Sequence, residues 1–209
     1  MNTQQVKAEL VKYAHRMYQK GLVAGTEGNL SARVSDKEIW MTPSGVNKGD
    51  ITEDMLVCLD IDGNIVAGDR EPTSERWMHL EAYRQRPDVM AVAHGHPIFC
   101  CAFASARVPL PEGILPELIA TIGEVPIVPY GKPSSPKLAE AVRPYYPHHN
   151  CFLLENHGAL AVGRSLHEAY YRLEVLEAYA KTMFFAKLLG GPKPLKVSDI
   201  QDLPKPSFG

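Results

Sequence analysis

The stretch DVMAVAHGHP, residues 88–97, joins a short apolar run to two histidines that are one residue apart. The run Val89–Ala93 predicts a buried strand, which Pro97 ends because proline has no N–H to donate to a neighbouring strand. Side chains alternate between the faces of a strand, so His94 and His96 are expected on one face with Cα atoms about 6.6 Å apart. Both rings can then bind one metal ion, although two surface histidines beside a turn would give the same sequence pattern.

The composition is that of an ordinary globular protein. The chain has 209 residues, 45% of them hydrophobic and 22% charged, which predicts a single domain over residues 1–209 rather than two. The net charge of −2 lacks the basic excess of a nucleic-acid-binding surface, so we expect no nucleic-acid partner. The sequence contains neither a signal-peptide pattern nor a long apolar run, so we expect no membrane partner and a cytoplasmic location.

The four cysteines show no CxxC spacing, and we expect them to be reduced and mostly buried. Helical periodicity predicts a first helix over Gln4–Lys20 and a long last helix from Ser165 to Leu189, opened by a capping box of Ser165 and Glu168. Residues 25–33 are predicted as a turn, and strands are predicted at Glu38–Met41 and Met55–Asp60.

A third histidine and a carboxylate come from two other parts of the chain. His157 belongs to a polar trio, residues 156–158, between two apolar strand-like runs, which is unexpected unless its side chains are needed. EPTSE, residues 71–75, begins a helix with Thr73 or Ser74 as its cap and Glu75 in its first turn. Capping alone explains these residues; the alternative is an anion site with Glu75 pointing into it. His79, four residues on, is assigned to packing.

Three histidines and one carboxylate predict an open zinc site, because catalytic zinc commonly has three protein ligands and a free position. Calcium and magnesium prefer shells made of oxygen. Three polar segments could bind a phosphate nearby through hydroxyl, amide and backbone donors, although turns are the commoner use of such residues. The candidate anion-binding residues are Thr26, Asn29, Ser44, Gly45, Thr73 and Ser74.

The motifs GTEGN followed by LSAR, MTPSG, EPTSE, HGHP and ENHG, in this order, resemble the class II aldolase/adducin family from the first helix to about Leu189. The resemblance implies an α/β fold with a central, mainly antiparallel β-sheet flanked by helices, and a homotetramer with sites between subunits. It implies that His94, His96 and His157 bind Zn²⁺, with Mn²⁺ or Co²⁺ as alternatives. It makes Glu75 the catalytic acid/base, which can also touch the metal when substrate is absent. The same resemblance places Asn29, Ser44, Gly45, Thr73 and Ser74 in a phosphate pocket.

The activity that the resemblance implies is reversible cleavage of a ketose 1-phosphate, such as L-fuculose 1-phosphate, to dihydroxyacetone phosphate and an aldehyde through an enediolate. Related 4-epimerases have Asp where this chain has Glu75, which favours an aldolase. Dehydration, decarboxylation or epimerisation of a sugar phosphate on the same scaffold stay open. A non-catalytic, adducin-like binding module is the alternative of another class, and the intact histidines and Glu75 argue against it.

Two positions depart from the family pattern. Glu27 puts a carboxylate in the GTEGN loop where relatives often have a small residue, which would weaken phosphate binding or favour another substrate. The aromatic acid that related aldolases take from the neighbouring subunit has no match, since Leu115 and Glu117 occupy the corresponding region. The Pro-containing tail, residues 192–209, is predicted to fold over a site or a neighbour, or to stay loose.

Overall fold

A computed structural model of the protein describes residues 2–204, and within them eight strands form one sheet. The strands are β1 Asn29–Ser35, β2 Glu38–Met41, β3 Val57–Leu59, β4 Ile65–Ala67, β5 Ala91–Gly95, β6 Ile127–Val128, β7 Cys151–Leu154 and β8 Gly158–Gly163. Their order across the sheet is β4-β3-β2-β1-β5-β8-β7-β6. Neighbouring strands are antiparallel except β6 and β7, which are parallel. The predicted α/β fold with a mainly antiparallel sheet is confirmed.

Helices cover both faces of the sheet. They are α1 Thr3–Gln19, α2 Arg76–Gln85, α3 Ile98–Ala106, α4 Pro116–Thr121, α5 Pro136–Val142, α6 Leu166–Leu188 and α7 Val197–Ile200, with short 3₁₀ turns at Glu53–Met55 and Arg143–Tyr145. Apolar residues of α1, α3 and α6 form one hydrophobic core, and those of α2 and α5 form a second. The sheet therefore separates two cores, and a central strand must be apolar on both faces.

Strand β5 meets this requirement and decides where His94 points. Ala91 and Ala93 pack into the core on the α6 side, while Val92 packs into the core on the α2 side. His94 shares its face with Val92 because side chains alternate along a strand. The imidazole of His94 is consequently buried on the side where α2 begins.

The two long helices lie close to their predicted bounds. Helix α1 begins after Asn2, whose side chain accepts a hydrogen bond from the backbone N–H of Gln5. At the start of α6, Ser165 Oγ accepts from the N–H of Glu168, as the predicted cap requires. The carboxylate of Glu168 reaches back to the N–H of Arg164, one residue before the cap, so the predicted box is shifted on that side.

Two predicted elements differ from the structure. The turn predicted over residues 25–33 ends at Gly28, and Asn29 already begins β1. In β1, Leu30 packs into one core while the polar Ser31 is buried on the opposite face, which hides the usual alternation of apolar and polar residues. The strand predicted at Met55–Asp60 is shorter, because a 3₁₀ turn takes up Glu53–Met55.

The described part of the tail lies against the segment around α4. The N–H of Leu195 donates to the carbonyl oxygen of Gly113 at 2.8 Å, and Leu195, Ile200 and Leu118 line a cavity of about 340 Å³ between the two segments. Residues 205–209 of the predicted tail lie outside the described residues. Among residues 2–204, none of the helices combines the length and apolar content that crossing a bilayer requires.

Candidate metal and anion site

The structure brings His94, His96 and His157 together. His94 lies near the end of β5, His96 follows that strand, and His157 lies in the hairpin between β7 and β8. The centroids of their rings are 4.8 to 5.0 Å apart, and one nitrogen from each ring lies within 4.8 Å of the others. Three nitrogen donors from distant parts of the sequence therefore surround one point.

Hydrogen bonds fix the orientation of His94. Its Nδ1 atom lies 2.9 Å from the carbonyl oxygen of Ala159; since a carbonyl can only accept, Nδ1 must carry the proton. Nε2 is then the nitrogen that remains to bind a metal, and Nε2 of His96 is 3.2 Å away. This is the arrangement in which imidazoles bind a metal through one nitrogen and a carbonyl through the other.

Two glycines permit the close approach of these rings. A Cβ atom at Gly95 would lie 2.6 Å from the carbonyl oxygen of Leu22, which accepts the backbone N–H of His96. A Cβ at Gly158 would lie 2.5 Å from the carbonyl oxygen of Gly95 and 2.6 Å from Cδ2 of His96. The absence of a side chain at Gly95 leaves room for another backbone, as the sequence indicates.

The polar trio at residues 156–158 forms the end of a tight hairpin. Leu154 and Gly158 pair across the two strands, so residues 155–157 make a three-residue loop. Asn156 has a φ of 53°, a left-handed conformation that asparagine tolerates better than most residues. Each member of the trio thus has a use: Asn156 allows the turn, His157 joins the cluster and Gly158 leaves space for it.

Glu75 is the carboxylate of the cluster. Its Oε2 lies 3.0 Å from Nε2 of His94, and its Oε1 lies 3.0 Å from Nε2 of His157. The prediction that Glu75 lies in the first helical turn is wrong, because α2 begins at Arg76 and Glu75 is the cap residue. Its side chain makes no capping bond, since it is directed to the histidines instead. The prediction of Thr73 or Ser74 as the cap is wrong for the same reason: Thr73 Oγ1 accepts the N–H of Glu75 at 3.3 Å, which lies before the first residue of the helix.

Glu75 and its histidine partners each stabilise the charged form of the other. Burial alone would raise the pKa of Glu75, but His94 and His157 outweigh it and hold that pKa well below its ordinary value. Burial would likewise lower the pKa of His94, and the Glu75 carboxylate overcomes this and raises it. Glu75 is therefore an ionised carboxylate although the residue is only 8% exposed.

This donor set suits a divalent ion of the zinc type. It offers three imidazole nitrogens and one carboxylate, in a buried position, and zinc accepts both kinds of ligand. Nδ1 of His157 is buried and has no hydrogen-bond partner among the described residues, whereas its Nε2 lies 3.0 Å from Oε1 of Glu75. Manganese and cobalt also bind such mixed sets, whereas calcium favours oxygen alone.

A buried chain of hydrogen bonds leads away from Glu75. Asn29 Nδ2 donates to Oε2 of Glu75 at 3.1 Å, and Asn29 Oδ1 accepts from Nε2 of His79 at 2.6 Å. With Nε2 as the donor, Nδ1 of His79 must accept, and Ser31 Oγ lies 2.7 Å from it. The hydroxyl of Tyr83 lies 2.6 Å from Ser31 Oγ, so His79 is packed, as predicted, and also connected to Glu75 through Asn29.

Beside the cluster lies a polar cavity of about 210 Å³. Glu75, His96 and His157 form one part of its wall. Among residues 2–204, no lysine or arginine side chain lines it, so any anion would be bound by hydroxyl and N–H groups. The structure brings all six candidate anion-binding residues to this cavity: Thr26, Asn29, Ser44, Gly45, Thr73 and Ser74.

Sequence analysis does not identify two further residues at the site, Lys48 and Ser134, or the contact that a third residue makes. Lys48 is buried, and its Nζ donates to the carbonyl oxygens of Thr26 at 3.0 Å and Val46 at 2.6 Å. Burial lowers the pKa of Lys48 to about 8. Ser134 lines the cavity with a φ of 58° and donates to Ser74 Oγ at 2.8 Å.

The third missed contact is made by Glu27, which hydrogen bonds to His96. Its presence in the loop was noted from the sequence, but loop composition does not say where a side chain points. Leu115 and Glu117, which the family resemblance puts in place of the aromatic acid, lie at the start of α4 and do not line the cavity.

The fold and the histidine cluster define an α/β protein with a candidate divalent-metal site beside a polar cavity. A family model described as Class II Aldolase and Adducin N-terminal domain matches residues 8–184. The chain belongs to the class II aldolase/adducin family, and the predicted resemblance is confirmed.

Similar proteins carry two different activities in their names. The chain is 34% identical to L-fuculose phosphate aldolase of Methanocaldococcus jannaschii, over 84% of this chain and 93% of that protein. It is 32% identical to 3-oxo-tetronate 4-phosphate decarboxylase of Pectobacterium atrosepticum, over 96% and 93%. A solved structure of L-fuculose 1-phosphate aldolase, 34% identical, superposes with a TM-score of 0.88 over 96% of this chain and 95% of that one. The structure of YgbL from Klebsiella pneumoniae, 29% identical, does so with a TM-score of 0.90 over 97% and 99%.

Proposed function

We propose that the protein is a divalent-metal-dependent lyase that reversibly cleaves a ketose 1-phosphate, such as L-fuculose 1-phosphate, to dihydroxyacetone phosphate and an aldehyde. The observation that carries the proposal is the position of Glu75. Its carboxylate lies 3.0 Å from two of three converging histidines and on the wall of a cavity rich in hydroxyl groups. A proton-transfer group, a metal-ligand set and an anion pocket thus share one site.

His94, His96 and His157 would hold the ion, Zn²⁺ in the first instance, with Mn²⁺ or Co²⁺ as alternatives. A bound ion would supply Lewis-acid stabilisation of the negative charge that develops on the substrate oxygens. Glu75 would contact the ion when substrate is absent, since two of its histidine partners are the proposed ligands.

The anion pocket would bind the phosphate. Thr26, Ser44, Gly45, Thr73 and Ser74 would offer hydroxyl and N–H donors, and Asn29 would complete the wall while donating to Glu75. A phosphate held away from the reacting carbons aligns the substrate, and this alignment contributes to the rate without any contact to the reacting bond.

Glu75 would hold the proton of the reaction. In the synthetic direction the ionised Glu75 carboxylate would remove a proton from the carbon next to the carbonyl, the resulting enediolate would attack the aldehyde carbon, and the new alkoxide would take a proton from water. Cleavage is the reverse: water accepts the hydroxyl proton, the carbon–carbon bond breaks, the electron pair remains on the phosphate-bearing fragment as an enediolate, and protonated Glu75 returns its proton to that carbon. The low pKa of Glu75 supports its role as the base of the synthetic direction.

A second reaction, decarboxylation of a 3-oxo sugar-acid phosphate, is favoured by the relatives that carry this name at 32% identity. Loss of CO₂ leaves the same kind of enediolate, which Glu75 would protonate after taking a proton from water, and it requires no base for a hydroxyl proton. Leu115 occupies the region where the family resemblance implies such an acid–base group from the neighbouring subunit. Dehydration and 4-epimerisation would use the same histidines.

One panel of substrates separates these reactions. Metal-analysed protein is incubated with L-fuculose 1-phosphate, other ketose 1-phosphates and 3-oxo-tetronate 4-phosphate, while aldehyde, dihydroxyacetone phosphate and CO₂ are measured. We expect aldehyde and dihydroxyacetone phosphate in equal amounts. CO₂ release alone would replace the aldolase with the decarboxylase. Protein with less than about one ion per three chains that turns over none of the panel would support an adducin-like binding module.

The proposal includes a homotetramer with sites between subunits. Its support is an apolar surface on α3 and the end of α6, where Ile98, Phe184, Phe185, Leu188 and Leu189 are exposed. Ile98 is two residues from His96, so a subunit covering this surface would reach the site. Analytical ultracentrifugation checks this: a monomer would contradict it.

We also propose a cytoplasmic location, since Cys58, Cys100, Cys101 and Cys151 are free thiols.

A further inference from the structure

We propose that Glu27 is a positioning residue of the metal centre, holding His96 in the tautomer and orientation that present Nε2 to the ion. The inference rests on the metal site proposed above and adds a residue to it. The carboxylate of Glu27 contacts the ring of His96 and also lines the anion cavity. Its position therefore concerns the metal as well as the phosphate.

Both oxygens of Glu27 are engaged. Oε2 lies 2.8 Å from Nδ1 of His96, and Oε1 accepts the backbone N–H of Ala24 at 2.9 Å. The loop itself has little freedom near this point, because Gly28 has a φ of +72° and a Cβ there would lie 2.2 Å from Cγ1 of Val23. The carboxylate is thus tied to its own loop and aimed at the ring.

The contact determines which nitrogen of His96 is available. An ionised carboxylate can only accept, so the proton of a neutral His96 must be on Nδ1. Its Nε2 then has a lone pair, and it lies 3.2 Å from Nε2 of His94. A carboxylate behind a ligand histidine fixes the ring and makes its other nitrogen a stronger donor.

The three histidines differ in what lies behind them. Nδ1 of His94 has a neutral carbonyl, that of Ala159, and Nδ1 of His157 has no partner among the described residues. Of the three histidines, His96 is therefore the one whose Nδ1 contacts a charged group, the carboxylate of Glu27. Its side chain is also the most exposed of the three, at 23%. An exposed ligand gains most from an added restraint, because it has more rotational freedom to lose.

The same carboxylate lines the anion cavity, where its charge opposes phosphate. If Glu27 positions His96, removing its charge should therefore change the affinities for metal and for phosphate differently. Metal affinity falls, whereas phosphate affinity stays the same or rises. A purely structural role in the loop would lower both together.

The test uses the full chain with Glu27→Gln and Glu27→Ala, and Glu140→Gln, at an exposed carboxylate on α5, as the matched control. Zn²⁺ and Co²⁺ affinities are measured by competition with a chromophoric chelator. Binding of inorganic phosphate is followed by its effect on the unfolding temperature. Glu27→Ala should bind both metals about 10- to 100-fold more weakly. Glu27→Gln, which still accepts a hydrogen bond, should lie between it and the wild type.

Three outcomes would overturn the inference. Metal affinities of both variants within twofold of the wild type would show that Glu27 does not act on the ligand. Parallel loss of metal and phosphate binding would show that Glu27 only maintains the structure of the loop. If Glu27→Ala does not fold, the same comparison is made with Glu27→Gln. A wild-type chain that takes up neither Zn²⁺ nor Co²⁺ would overturn the proposed metal centre itself, and the role of Glu27 with it.

Discussion

Glu75 is a single side chain with three partners: two histidine rings and the amide of Asn29. Replacing its carboxylate with an amide, in Glu75→Gln, retains the size of the side chain but removes the group that can carry the proton. We expect the variant to fold and to keep its metal, with kcat about a hundredfold or more below the wild type. Steady-state kinetics with metal analysis of the same sample check this. Full turnover by Glu75→Gln would remove Glu75 from the reaction.

His79 supports Asn29 from within the core and titrates far from its ordinary range. Burial, with the charge of His94 in addition, lowers the pKa of His79 to about 3. Between that value and its ordinary 6.5, the unfolded chain binds a proton that the folded chain does not. Stability must then fall as pH decreases through this window, by about 1.4 kcal/mol per pH unit at most.

The variant His79→Gln cannot titrate and retains a donor for Asn29. As pH falls from 6.5 to 4.5, we expect the free energy of unfolding of the wild type to decrease more than that of His79→Gln. We also expect kcat to fall while KM changes little, because Glu75 loses part of its support. Denaturant unfolding at several pH values measures the first effect; equal pH dependence of the two proteins would contradict it.

At the level of elements, two loops are joined by one buried side chain. The loop before β1 and the loop after β2 both line the anion cavity, and Lys48 donates to a carbonyl of each. Lys48→Met retains the aliphatic volume but leaves both carbonyls without this partner. We expect a loss of about 1–3 kcal/mol in unfolding free energy and several-fold weaker phosphate protection. Lys137→Met, at an exposed position, is the control, and identical phosphate protection in both variants would contradict this.

The elements that sequence could predict are those with a clear period. Strand β5 is apolar on both faces, and α6 has a serine cap at its start, so both were found. The sequence predicts a turn in place of strand β1 because Asn29 and Ser31 are polar. Their partners, His79 and Tyr83, come from a helix about 50 residues away in sequence, and no local pattern announces such a pairing.

The features of the site likewise divide into those that the sequence can predict and those that it cannot. The spacing of His94 and His96 along one strand could be predicted, since the period of a strand is two residues. The cap position of Glu75 could not, because helix rules direct a carboxylate to the helix amides, whereas the histidines attract it here. The contact of Glu27 with His96 depends on the path of a glycine loop, which composition does not determine.

At the scale of the whole molecule, the site lies where the two halves of the sheet meet. Strands β1 and β5 pair with Asn29 opposite His94, and β5 and β8 pair with Gly95 opposite Ala159. The helix start at Glu75 is placed against this junction by the core on the α2 side. The ligand set is therefore assembled by the fold, so metal binding and folding should be coupled.

The most direct test is the metal content of the protein after gentle purification, compared with that of His157→Ala. The account predicts about one divalent ion per chain in the wild type, bound by three histidines and open on one side. In His157→Ala it predicts less than about one ion per three chains, with the fold intact by circular dichroism. A folded wild-type protein without bound ion, or equal occupancy in the two proteins, would contradict it.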